Sequence, residues 1–513
     1  MNKKTLLFRM VAVVILATHL SNIWRLHTYP FTDLPNHLAE AYLLRTLTLN
    51  PSDPLGNYYQ IAITPYTPTT LYAVFCALFP NVEFGNKVFY TLCILLMVGG
   101  MFLLIRAAKG DLWLALLAAL FFYHLSTMWG LVGITVGVGL SLLAMVALVR
   151  YLEHPSPWFA LWLALIALGV YYAHPVTWIF VVISVGVALL FYLKTDIKYR
   201  LLGISTLLPG IALFIFWKIG AEYNQNYRPT LPFLVSYYRS EYLASIRNRL
   251  IELFLLDNNF LGIGHLSKIF ALILTGPLVV GLLIMIFRQR ANILNLINSP
   301  SRFCGVIFLS ISGICYLTLP NRLPAQHILF ERFSVLVFLG VIWVGSFLVS
   351  GRLRMPVRGI VTLLLLLHTG LWFQYFQRFE QTAQPFRLLL YHNPDAQNRS
   401  LTAIIISRDF RGHPAFSHYQ NYQIIWNHGP AVTGFVRARF RIIQERAEGI
   451  LPYYFEEVAR SKKFNQAMVE YQDINLILTD SQDILKRINN FGVYQLIGQV
   501  DPWYLLENIA SPR

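Results

Sequence analysis

The sequence is poor in charge, in cysteine and in nucleotide-handling motifs. Only 13% of its 513 residues are Asp, Glu, Lys or Arg, against about 25% in soluble globular chains. Together with 56% hydrophobic and 15% aromatic residues, this excludes a soluble enzyme, a disordered chain and a coiled coil, because no aqueous fold hides so much apolar surface. The four cysteines, Cys76, Cys93, Cys304 and Cys315, all lie in apolar stretches. No CxxC or Cys/His zinc spacing is present, so neither a disulfide framework nor a structural zinc is expected. The chain has no Walker loop, no GxGxxG at a strand–helix junction and no GxSxG. That argues against a nucleotide-driven pump and a serine hydrolase. Neither a transporter-type internal repeat nor a low-complexity linker occurs.

What the chain has in excess is positive charge, 41 Lys and Arg against 25 Asp and Glu, for a net +16. No basic–aromatic motif accompanies it, so no nucleic-acid partner is expected. The basic residues sit instead in short loops, as retention on the cytoplasmic side demands.

A bilayer core needs roughly 20 apolar helical residues. Eleven segments qualify, at about 5–24, 87–105, 111–127, 131–150, 157–172, 175–194, 201–219, 267–288, 303–319, 331–350 and 357–376. The first is read as an uncleaved transmembrane helix, since no small-residue cleavage site follows it. The apolar core of segment 63–80, LYAVFCALF, is about half a span long and is preceded by Pro65 and Pro68; the segment is read as an interfacial or re-entrant helix. Lys3, Lys4 and Arg9 then place the N-terminus in the cytoplasm, and every strong basic cluster between helices follows: Arg106 with Lys109, Arg150, Lys194 to Arg200, Arg288 to Arg302, and Arg352 to Arg358. A crossing at 63–80 would invert that pattern.

Eleven spans expose four segments outside: a first loop at about 25–86, the turn Ala173-His174-Pro175, a loop at about 220–266, and the turn at about 319–332. The expected architecture is a polytopic α-helical membrane domain over 1–376, its first outer loop carrying juxtamembrane helices. An extracytoplasmic α/β domain over 377–513 follows, with strand-like runs LTAIIIS, INLILT and VYQLIGQV and a helical stretch near 437–470.

The strongest chemical signal is TDLPNHLAE, directly after the first span. Thr32 or Asp33 suits a helix cap with Pro35 in the first turn. Asp33, His37 and Glu40 then stand at i, i+4 and i+7, roughly one helix face. Two carboxylates and an imidazole at the membrane–water boundary suit removal of a hydroxyl proton or binding of a divalent cation; an N-cap aspartate with solvated neighbours is the plain alternative. His174 is either a site residue or a turn histidine among the belt aromatics Tyr171, Tyr172 and Trp178. His124 and Trp129 carry the same choice, with belt residues preferred. Arg322, His327 and Arg332, beside Glu331, present guanidinium groups that match phosphate oxygens, the alternative being a snorkelling surface pair. Arg228, Arg239, Arg247 and Arg249 read first as solvated loop residues. In the tail, His413 and His418 form an unspecific metal pair or, preferentially, belong to a loop lying against the membrane domain. Asn398-Arg399-Ser400 fits a glycosylation pattern of low specificity.

A first span, an outer loop opening with an acidic residue, many further spans and an outer α/β tail resemble the GT-C membrane glycosyltransferases, among them protein mannosyltransferases, aminoarabinose transferases acting on lipid A, and oligosaccharyltransferases. TDLPNHLAEAY is similar to the string that follows the first helix in uncharacterised bacterial members. Segment 63–80 looks like their juxtamembrane helix. EYQDINLILTD followed by FGVYQLIGQVDPWYLLE resembles their terminal domain. The paired acidic motif of the mannosyltransferases is absent, as Leu34 follows Asp33, and so is the WWD-type motif of the oligosaccharyltransferases.

The resemblance implies transfer of a hexose or pentose from a polyprenyl-phosphate donor to an extracytoplasmic glycan, lipid or protein, in the inner membrane of a bacterium, for building the cell-envelope glycan. Asp33 takes the role of base. His37, Glu40, His174, Arg322, His327 and Arg332 bind substrate, and membrane lipid surrounds the site. If a cation is needed, magnesium or manganese, Asp33 and His37 are its ligands. The alternatives are a flippase for lipid-linked glycans and a non-catalytic assembly partner.

Overall fold

A computed structural model of the chain describes residues 3–220, 231–238, 242–259, 268–277, 280–281, 299–323, 326–349, 354–432, 441–446, 464 and 474–510. It divides into two compact units, one of residues 1–23 with 90–373 and one of residues 24–89 with 374–513.

The first unit is helical. Among the described residues seven helices are long and apolar enough to cross a membrane: Leu6–Trp24, Val82–Ala107, Val132–Glu153, Ile197–Ile219, Pro300–Thr318, Glu331–Leu348 and Arg354–Leu390. Shorter apolar helices at Leu112–Met128, Pro157–Ala173, Pro175–Phe191 and Lys268–Pro277 fall on the remaining expected segments. Segment 111–127 is not one α-helix. Leu112–Phe121 is a 3-10 helix, followed by one α-helical turn at Leu125–Met128. Trp113 to Phe121 are all buried, and such a tightly wound run survives because protein surrounds it. Asp111 caps it through the Trp113 amide at 3.2 Å and is in turn gripped by Arg358, with both Nη2 and Nε 3.0 Å from Oδ2. On helix Val132–Glu153 a side chain at Gly133 or Gly137 would run into the Ala173 carbonyl or the Thr177 side chain, so these glycines let neighbouring helices touch backbone to backbone.

The second unit joins two distant stretches of chain. α1 (Lys3–Trp24) ends at its boundary, and α2 (Leu34–Leu49) starts at Pro35 and ends before Asn50-Pro51. Proline suits the first turn, while the residue before a proline resists helix. α3 (Leu71–Ala77) is the short helix expected within 63–80. Seven residues rise only about 10 Å, too little to cross about 30 Å of hydrocarbon as a helix.

Strand β1 (Tyr59–Ile61) pairs antiparallel with Ile443–Glu445 of the tail. That pairing corrects the helix expected across 437–470 at these positions; the rest of the stretch, apart from Arg441, Ile442, Arg446 and Phe464, lies outside the described residues. Residues Ile442 to Glu445 alternate poorly for a helix and find an open strand edge at β1. Leu43, Leu47, Leu55, Tyr59, Ile424 and Ile443 share one hydrophobic cluster, so the first loop and the tail bury their apolar side chains together.

A four-stranded sheet completes the unit, with strands Leu401–Ile404, Leu476–Thr479, Trp503–Asn508 and Tyr494–Val500 side by side in that order. The first two are parallel and the others antiparallel. The expected runs at 401, 474 and 493 all contain strands. Helix Gln482–Asn489 places Ile484 and Ile488 in the core beside Ile477 and Leu506.

Candidate functional site

α2 carries the expected cluster. Asp33 occupies its N-cap position, but its side chain makes no capping hydrogen bond. An aspartate there ordinarily adds about 1 kcal/mol by doing so. Its Oδ1 lies instead 3.5 Å from Nε2 of His418. His418 has φ +63, a left-handed backbone that a residue with a Cβ adopts at a cost of about 1–2 kcal/mol.

One turn on, Arg441 Nη1 donates to Glu40 Oε2 at 2.9 Å and to His37 Nδ1 at 3.2 Å. Arginine has no acceptor, so His37 Nδ1 must carry a lone pair, and the neutral ring holds its proton on Nε2. Burial pushes the His37 imidazole below its ordinary value, outweighing the attraction of the Glu40 carboxylate. Burial alone would raise Glu40, but the Arg441 charge prevails and holds the carboxyl below the usual range. Burial, with Arg408 and His37 nearby, pushes His418 down to about 4. At neutral pH the Arg441–Glu40 ion pair is flanked by two neutral imidazoles, with Asp33 beside His418.

The tail clamps the neighbours of Asp33 as well. Thr32 Oγ1 and His413 Nε2 are 3.1 Å apart, Asn421 donates to Asn36 Oδ1 at 2.7 Å, and the Tyr419 hydroxyl donates to the Tyr29 carbonyl at 3.2 Å. His413 and His418 thus diverge onto Thr32 and Asp33 and do not form a metal pair. Among the described residues no three His, Cys, Asp or Glu side chains converge as metal ligands. His37 and Glu40 are already held by a guanidinium, so the cluster does not fit a divalent cation at those positions.

The other expected residues lie in the first unit. His174 caps helix Pro175–Phe191, its Nδ1 accepting from the Val176 amide at 3.1 Å. His124 does the same for Ser126. Arg322 and His327 are directly opposite across a two-residue antiparallel pair, and Arg332 lies in the 3-10 turn Glu331–Phe333. Arg247 is exposed, whereas Arg249 is not the solvated residue expected. It is 1% exposed, donates to the Tyr316, Leu317 and Leu319 carbonyls, and stacks 3.9 Å from the Phe330 ring centre. Arg249 satisfies a helix end whose carbonyls have no partner of their own. Arg228 and Arg239 lie outside the described residues.

Sequence reasoning missed Arg441 altogether. Its only signal was the basic run VRARFR, and nothing local linked that run to residue 40.

No protein-family profile matches the chain, and no curated protein matches it. A solved structure that does match is the crystal structure of ArnT from Cupriavidus metallidurans bound to undecaprenyl phosphate, with a TM-score of 0.56 over 99% of this chain and 99% of that one, at 11% sequence identity. A likeness at that identity carries the fold and nothing finer. The fold of this chain is similar to that of ArnT.

Proposed function

We propose that the chain is a multi-pass glycosyltransferase that moves a sugar from a polyprenyl-phosphate donor to a hydroxyl acceptor on the outer side of a bacterial inner membrane. The observation that carries this reading is the arrangement on α2, where Asp33 forgoes the helix cap and stands at a partly open position beside His37, Glu40 and Arg441. The ArnT-like fold supports a lipid-linked-sugar donor, and a lipid phosphate as leaving group needs no nucleotide site.

In the proposed reaction Asp33 accepts the proton of the acceptor hydroxyl as its oxygen bonds to the anomeric carbon. The bond from that carbon to the phosphate oxygen breaks, the configuration inverts, and the polyprenyl phosphate leaves with the negative charge. A positioned base of this kind contributes about 10²–10⁴-fold. The Arg441–Glu40 pair keeps His37 in one tautomer, with its proton on Nε2. Arg332, with Arg322 and His327, is proposed to bind the departing phosphate, and His174 to contribute through Nε2, its Nδ1 being committed to the helix cap.

The test uses full-length protein in nanodiscs with labelled undecaprenyl-phosphate hexoses and pentoses, reading release of undecaprenyl phosphate. Wild-type release that disappears in Asp33→Asn supports the base assignment. Full release by a normally folded Asp33→Asn overturns it.

A further inference from the structure

Asp33 and His418 meet through two independent concessions. Asp33 gives up its capping bond, and His418 accepts a left-handed backbone; strained residues of this kind concentrate where a side chain must be aimed. Both side chains keep partial access to solvent, 13% for Asp33 and 30% for His418, whereas the supporting groups around them, His413 and Asn421, are buried. The stretch 413–421 therefore seals itself against residues 29–36 through hydroxyl, amide and imidazole contacts and leaves one pair open.

We infer that His418 is a positioning residue for the base: its Nε2, 3.5 Å from Oδ1 of Asp33, turns the carboxylate so that Oδ2 faces the acceptor hydroxyl. This inference rests on the proposed base role of Asp33. The ring suits the task because an imidazole N–H donates to a carboxylate oxygen.

The experiment measures kcat and donor KM in the nanodisc assay for His418→Ala, His418→Gln and both changes in the Asp33→Asn background. Loss of orientation at a reacting group lowers rates by up to about a hundredfold. The expected result is a kcat reduced about 10- to 100-fold in His418→Ala with donor KM unchanged, since aim and not donor binding is lost. His418→Gln, whose amide N–H reaches about as far as Nε2, recovers part of it. Adding His418→Ala to Asp33→Asn lowers the rate no further, as befits two groups acting as one. The inference is overturned if His418→Ala keeps wild-type kcat while Asp33→Asn is inactive, if Ala and Gln lose kcat and melting temperature alike, or if the double variant is additive. An active Asp33→Asn fails the base assignment itself, a distinct outcome.

Discussion

The two units handle polar side chains in opposite ways. In the helical unit, the Asp111–Arg358 pair apart, those of His174, His124 and Arg249 serve backbone groups. His174 accepts from an amide two residues on, as does His124, and Arg249 covers the carbonyl end of a helix. In the unit built from residues 24–89 and 374–513, polar side chains bind one another across the chain, with separations of 381 residues for Thr32 and His413, 385 for Asn36 and Asn421, and 401 for Glu40 and Arg441. The physical cause lies in what each fold leaves unsatisfied. Helices in an apolar setting complete their own hydrogen bonds except at their ends, so polar residues collect there. A loop packed against a tail has no such self-sufficiency, and its buried groups need partners from the other segment. The first pattern stabilises locally; the second makes a site that exists only when the whole chain has folded.

Substitutions can break or sharpen this contrast. The largest expected effect is on transfer: Asp33→Asn should lower the rate by about 10²–10⁴-fold with an unchanged melting temperature. Next is Arg441→Met, which strands the Glu40 carboxylate without its partner and should destabilise the unit by about 3–5 kcal/mol, measured by denaturant unfolding. Replacing Arg441 and Glu40 together by Met and Leu should recover much of that, because breaking one half of a buried pair is worse than removing both.

Acid should act on the same unit. His37 and His418 are both depressed in the folded protein, so the unfolded chain binds protons the folded one refuses. Stability should hold above about pH 6.5 and fall as the pH drops below it. The loss from His418 continues to about pH 4; melting temperature against pH reads this, and His418→Gln should flatten the slope. The smallest effect belongs to a local cap: His174→Ala should lose about 1 kcal/mol. A transfer rate that also drops more than tenfold assigns His174 to the donor, and an unchanged rate removes it from the site.

Composition and periodicity were enough to place the apolar helices, the strands at 401, 476 and 494, and the helix opening at Asp33 with Pro35 in its first turn. These follow from local rules: runs of apolar residues, alternation, and the dihedral limits of proline. They were not enough for segment 111–127, where burial on all sides allowed a 3-10 helix, or for residues 443–445, where an unpaired strand edge at Tyr59–Ile61 outweighed helical tendency. Nor did they reveal Arg249, whose burial depends on carbonyls nearly seventy residues away.

By itself, then, the sequence determined which residues form helices in an apolar setting and that Asp33, His37 and Glu40 share one turn-rich stretch. Only the tertiary structure decided that Arg441 balances Glu40 and that His418 faces Asp33. The reason is that an ion pair or an aimed imidazole is set by the position of atoms in space, while local sequence rules reach only a few residues along the chain.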